Sequence, residues 1–517
     1  MSSLPNPILP GFHPDPSIIR DGQDYYLVTS SFEFLPGLPV YHSRDLITWS
    51  LVSHVVTHPQ QLRIDEVPTN GGLWAPTIRK HNGKFYVTVK NAAMGRPGSR
   101  AMLIFSADSA AGPWSDGVDV PGVDGIDPDL AWDENGDCYM AFSGMSFATG
   151  KPVHHGIQIA QINPDTGETL SEVQNLWHGS GLMFAEGPHL YKLGEWWYLL
   201  VAEGGTDRGH AVTIARSHNI LGPYQSAPTN PILSARSLFR SVQNVGHADM
   251  FQTTDGSWAM VCLGVRARGL SQAFSPLGRE TFITTFEWVD GWPVVQAVEV
   301  NDDVPAPEFI DDFDAPVLRS DWVGLRRYPT DVVTLEGGGV RIPSTGKDMY
   351  YLAPDAIAKR QQILIGQIFA QIETDGTAGL SVRYNQEMHY DIELQPGQLV
   401  ARFAVNLVRH EVAVPRPANL PSGAAELYIA LRERPAGFSI GGNAPDYVEL
   451  GWRDATGELH QVATFDGRFL SQEVNSSFTG RMIAVYSVEG NTLLRRYHEQ
   501  PGVAVPSTFE NNFSEPI

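Results

Sequence analysis

Cysteine is nearly missing from this chain, with only Cys138 and Cys262 among 517 residues. Both stand in apolar, strand-like runs ("DCYMAF" and "AMVCLG"), so they read as buried thiols, and a disulfide framework is excluded. No stretch nears the ~20 consecutive apolar residues of a membrane-spanning helix. Positive charge is scarce, with 36 Lys and Arg against 58 Asp and Glu and a net charge of −22. Nucleic acid and anionic membrane surfaces would be repelled, so neither is an expected partner; a neutral or cationic ligand is. The opening "MSSLPNPILPGF" lacks a basic n-region and an apolar h-region, and the expected location is the cytoplasm. Sustained helical periodicity is also lacking, which leaves an all-β chain.

What is present is a repeat. Asp15-Pro16-Ser17-Ile18 recurs as Ala75-Pro76-Thr77-Ile78, Asp127-Pro128-Asp129-Leu130, Gly187-Pro188-His189-Leu190 and, more loosely, His247-Ala248-Asp249-Met250. The spacings between first members are 60, 52, 60 and 60 residues. Seven to nine residues after each start comes a turn glycine, Gly22, Gly83, Gly136, Gly194 or Gly256, and then an aromatic or apolar strand. That is the pattern of a β-hairpin. Five such units over about residues 11–295 cannot each bury two sheet faces alone, so they are expected to pack around an axis as a five-bladed β-propeller. Residues some sixty positions apart then meet on one ring.

After the acidic, proline-containing stretch "NDDVPAPEFIDDF", which reads as a linker, the repeat stops. Alternating strands such as "QILIGQIFAQIET" and "HYDIELQ" predict a jelly-roll (concanavalin-like) β-sandwich. The expected domains are 1–300, the catalytic propeller, and 301–517, a sandwich that helps close the active-site pocket.

Asp15 and Asp127 open their repeats, whereas Glu186 precedes its aligned position by one residue, in the slot that Trp74 holds in the second repeat. A one-residue offset re-aims a side chain, so the acids should enter the site from different directions. Differently aimed carboxylates beside a neutral ligand suit glycoside hydrolysis. One must be protonated to give a proton to the leaving oxygen, and another ionised to attack or to activate water. A third would raise the pKa of the acid by like-charge repulsion. Phe32 and Trp74 offer apolar faces for a sugar ring.

The segments "NPILPGFHPDPS", "TSSFEFLPGLPVYHSRDLITW", "GGLWAPT", "GIDPDLAWDENG", "FAEGPHLY", "VAEGGT", "SPLGRETF" and "FIDDFDAPVLRSDW" together resemble glycoside hydrolase family 43 in its β-xylosidase branch, over essentially the whole chain. The resemblance implies a five-bladed propeller and single displacement with inversion at the anomeric carbon. It implies Asp15 as general base, Glu186 as general acid, and Asp127 as the residue that elevates the acid's pKa and holds it. It implies Arg279 as the hydroxyl-binding arginine, and Phe32, Trp74 and Thr206 as pocket wall. His247 matches an axial histidine that in some members faces a bound calcium through water; no cofactor is required for the chemistry. Met482 stands where similar proteins often carry a pocket-closing phenylalanine.

The expected activity is release of D-xylose from the non-reducing end of short xylooligosaccharides, by a homo-oligomer (dimer or tetramer). An α-L-arabinofuranosidase or a bifunctional enzyme is the nearest rival, because both sugars can place their hydroxyls and scissile bond alike. A non-catalytic carbohydrate-binding propeller would lack one of the three acids. A retaining fructan-type hydrolase would carry an "NDPNG" motif, which is absent.

Overall fold

The computed structural model describes residues 4–93, 100–146, 153–269, 273–301, 308–418, 420–421, 423–433 and 445–502. Residues 302–307, the first part of the stretch read as a linker, lie outside the described set, and Phe309–Asp311 of that stretch form a strand of the second unit. The chain forms two compact units. The first holds most of the chain up to about residue 300; the second holds the C-terminal part with two short excursions, Pro10–Phe12 and Ala267–Gly278.

The first unit is five antiparallel sheets in sequence order. Their innermost strands are Ser17–Asp21, Gly72–His81, Gly125–Trp132, Glu186–Leu193 and Gln243–Gln252. Each sheet then runs outward through three further strands, and the fourth adds the short pair Leu233–Ser234. The hairpin glycines anticipated from the repeat all adopt positive φ: Gly22 (63°), Gly83 (80°), Gly136 (85°), Gly194 (59°) and Gly256 (85°). His81 pairs with Lys84 across Asn82-Gly83, whose φ values of 49° and 80° fit the right-handed strand twist.

Neighbouring sheets bury their faces against each other. Tyr86, Met102 and Ile104 of the second sheet pack with Leu130, Met140 and Phe142 of the third. Ile157 and Ile159 of the third meet Leu199 and Val201 of the fourth, and Tyr25 and Leu27 of the first meet Phe251 and Val261 of the fifth. The innermost strands contact one another in turn, and the fifth closes on the first. The N-terminal segment completes the closure, since the amides of Ile8 and Leu9 donate to the Thr281 carbonyl of the fifth sheet. This is the propeller the repeat predicts, and its axis is where the five innermost strands meet.

The second unit is a sandwich of an eight-stranded and a six-stranded antiparallel sheet. Ile368, Ile429, Leu450 and Leu494 from the larger sheet pack against Leu380, Val382, Ile392 and Ile483 from the smaller. Met482 is the first residue of the strand Met482–Glu489 and is 1% exposed. It is a buried strand residue of the sandwich.

Candidate active site

The five residues that open the repeats share one backbone conformation. Asp15, Ala75, Asp127, Gly187 and His247 have φ of 54°, 41°, 55°, 54° and 47°. In the second to fifth sheets each lies in a break of register, between Trp74 and Thr77, Ile126 and Asp129, Glu186 and His189, and Gly246 and Asp249. A bulge takes residues out of the ladder and re-aims their side chains. Non-glycine residues seldom occupy this region, and each costs about 1–3 kcal/mol. Glu186 and Trp74 are the last paired residues before their bulges, which explains their one-residue offset. Flanking prolines alone do not account for the placement of Asp15. A residue before proline prefers extended backbone, yet Asp15 and Asp127 are left-handed, and His247, which precedes alanine, is left-handed too.

Asp15 is 5% exposed and fully engaged. Arg279 Nη1 donates to Oδ1 at 2.8 Å and Ser30 Oγ to Oδ2 at 2.6 Å. His247 Nδ1 lies 3.8 Å from Oδ1. Burial alone would raise the pKa, but Arg279, His247 and the Ser30 hydroxyl outweigh it and hold Asp15 below its ordinary value. Arg279 also donates to Thr206 Oγ1 at 3.1 Å, and its guanidinium sits 5.7 Å from the centre of the Phe32 ring. Phe32 is 6.1 Å from the half-buried Trp74, whose indole N–H donates to the Asn70 carbonyl at 2.7 Å.

Asp127 and Glu186 behave oppositely to Asp15. The buried Asp127 carboxylate accepts the Gly187 amide at 3.0 Å, and its pKa is raised well above the ordinary value by burial, then by the charges of Glu186 and Asp15. Glu186 is raised to about 7, by burial first and the charge of Asp15 second, with Arg279 opposing. The two acids titrate as a pair, so the proton the pair retains near neutrality belongs to both. Arg279 is the cation that acts on all three carboxylates.

The structure therefore brings together Asp15, Asp127, Glu186, Arg279, Thr206, Phe32, Trp74 and His247 within the first unit. Burial lowers His247 to about 4, leaving a neutral imidazole. Calcium prefers about six to eight oxygen ligands. His247 lies beside Asp15, whose oxygens accept from Arg279 and Ser30. Among the described residues, one group of three metal-ligating side chains lies close together, Asp454, Glu458 and His460 in the sandwich.

Sequence reasoning missed Ser30, which binds Asp15 and accepts the Ala75 amide at 2.7 Å, and His210, which burial lowers to about 3 and whose Nδ1 pairs with the Asn244 carbonyl at 2.9 Å. Neither sits at a repeat start. Ser30 lies two residues beyond the strand Asp24–Val28, where its amide donates to the Pro14 carbonyl, a position that the repeat does not mark.

A buried carboxylate held ionised, beside a raised pair that holds a proton between them, within a five-bladed propeller, defines a glycoside-hydrolase type of site. Residues 4–293 match the model of glycosyl hydrolases family 43, and residues 310–494 match the β-xylosidase C-terminal concanavalin A-like domain. The chain belongs to glycosyl hydrolase family 43. It is 34% identical over 507 residues to a non-reducing end α-L-arabinofuranosidase of Bacteroides ovatus, covering 93% of this chain and 90% of that protein. It is 35% identical over 418 residues to a putative β-xylosidase of Escherichia coli, covering 74% and 77%. A crystal structure of a xylan β-1,4-xylosidase from Bacillus halodurans superimposes with a TM-score of 0.83 at 28% identity, over 96% of this chain and 100% of that one.

Proposed function

We propose that this protein is an exo-acting, inverting β-1,4-xylosidase that takes D-xylose from the non-reducing end of short xylooligosaccharides. The observation that carries the reading is the split among neighbouring acids: Asp15 is held below its ordinary pKa while Glu186 is raised to about 7. Asp15 is the general base and Glu186 the general acid. A water attacks the anomeric carbon as Asp15 takes its proton. The glycosidic C–O bond breaks as Glu186 gives its proton to the leaving oxygen. Exchange with solvent then resets both groups. Asp127 keeps a proton on the pair and, through the Gly187 amide, fixes the turn that follows Glu186. Arg279, bound to Asp15 and Thr206, is the cation that meets the sugar hydroxyls.

The second reading, α-L-arabinofuranosidase activity at the same site, is favoured by the likeness to the Bacteroides ovatus protein. The two sugars differ by contacts worth only ~1–3 kcal/mol. Short oligosaccharides suit a cytoplasmic homo-oligomer, since xylan polymer cannot cross a membrane.

Time-resolved proton NMR of xylobiose hydrolysis, with an aryl α-L-arabinofuranoside alongside, tests both. Early α-xylose at the higher specificity constant supports the xylosidase reading. Early β-xylose sinks the inverting assignment, and preference for the arabinoside moves the protein to the second reading.

A further inference from the structure

The loop that leads into Glu186 is tied down from below. Glu203, fully buried, accepts from Ser180 N at 2.5 Å, Ser180 Oγ at 2.8 Å, Leu182 N at 3.2 Å and Thr213 Oγ1 at 3.2 Å. The Gly204 amide donates to the Met183 carbonyl at 2.6 Å. Pinned this way, the loop presents two large apolar side chains outward, with Met183 66% and Phe184 42% exposed. Phe184 is itself left-handed, at φ 55°, an uncommon conformation for a bulky residue and one that faces no core.

The Phe184 ring has defined neighbours. It lies 4.8 Å from the His154 ring at 55°, and a Cβ on Gly205, the residue before Thr206, would come within 3.3 Å of it. His154 Nε2 is 3.8 Å from Glu186 Oε1, and its buried Nδ1 makes no hydrogen bond among the described residues. Desolvation lowers the pKa of His154, with the charge of His155 adding to it, so the imidazole is neutral at neutral pH. A neutral imidazole has one N–H donor and one acceptor nitrogen.

A general acid faces the oxygen of the departing group, so side chains that touch the acid from outside the sugar pocket meet that group. An apolar ring face beside a neutral donor-acceptor pair matches a pyranose, which has apolar C–H faces and a hydroxyl rim. We propose that Phe184 and His154 form the subsite that receives the leaving group, a neutral pyranose unit, with Phe184 under its face and His154 Nε2, the ring nitrogen on the side of the acid, bonded to one of its hydroxyls. This rests on Glu186 being the acid. It adds which residues read the leaving group, and it uses positions that the repeat does not mark.

The test compares xylobiose with β-D-xylosyl fluoride, which carries the same sugar but a leaving group too small to reach the subsite. Phe184→Ala and His154→Ala should each lose roughly tenfold or more in kcat/KM on xylobiose and less than about threefold on the fluoride. Phe184→Leu, which keeps an apolar face, should fall between. Equal losses on both substrates, or no loss on either, overturn the proposal. Glu186→Ala runs beside them. If it loses equally on both substrates while Phe184→Ala remains selective, the acid assignment fails and the subsite stands. Thermal unfolding of each variant separates misfolding from selective loss.

Discussion

The propeller axis carries two layers of charge, two residues apart on the same strands, that solve burial in opposite ways. The upper layer holds Asp15 and Asp127, with Glu186 beside them. The lower holds Ser17, which begins the first innermost strand, and Asp129, His189 and Asp249, which re-enter the ladder after their bulges. In the lower layer Arg79 Nε pairs with Asp129 at 2.9 Å, Nη1 with Asp249 at 2.9 Å, and Nη2 meets His189 Nδ1 at 2.9 Å. Asp249 also accepts Ser17 Oγ at 2.6 Å, the Ile18 amide at 3.0 Å and the Tyr191 hydroxyl. Burial would raise Asp249, but Arg79, His189 and the Ser17 hydroxyl bring it down to about 2. In the upper layer one guanidinium serves three carboxylates, and two of them are pushed up. The same residue type is inert where its charge is matched and proton-holding where it is not. The lesson is that one guanidinium shared among three dry carboxylates marks the chemical layer, while one bonded directly to both of its carboxylates marks the structural one.

Removing the matched or the unmatched charges should break this contrast differently. Asp15→Ala should have the largest effect, lowering kcat on xylobiose by about 10³-fold or more with little change in melting temperature. A variant that melts early instead would assign Asp15 to the structural layer. Arg79→Ala strands Asp129 and Asp249 as buried uncompensated charges and should destabilise the propeller by ~3–5 kcal/mol, read by denaturant unfolding. An unchanged transition would mean the lower layer is hydrated and needs no pairing.

The smallest effect sharpens the comparison. Activity needs Asp15 ionised and Glu186 protonated, so it should fall as pH drops through the depressed Asp15 value and again as pH rises through about 7. Asp127→Asn, which takes one titrating carboxyl out of the pair, should move the upper limb down by about one unit. An unmoved limb would leave Asp127 acting only through its hydrogen bond to the Gly187 amide.

Much of this was legible in the chain. The five repeats were readable because hairpin glycines and strand alternation are local signals, and Asp15, Asp127 and His247 stood at matching repeat positions. Glu186 was found through its offset from the repeat, which the structure explains as the last paired residue before a bulge. Other parts were not legible. Arg79 is one of many arginines in sequence, and nothing local says that it reaches Asp129 and Asp249 across the axis. His154 and Glu203 occupy the ends of outer strands, and Ser30 a segment beyond one, whose partners depend on how the strands pair. Pro10–Phe12 and Ala267–Gly278 join the second unit from within the first 300 residues, an assignment no composition shift signals.

The sequence by itself determined the number of blades, the hairpin that opens each one, and which acids stand on the ring, because these follow from turn chemistry and spacing along one strand. Only the tertiary structure decided which carboxylates are neutralised and which keep a proton. That depends on burial and on distances to Arg79 and Arg279, and both arise when strands far apart in sequence close around one axis.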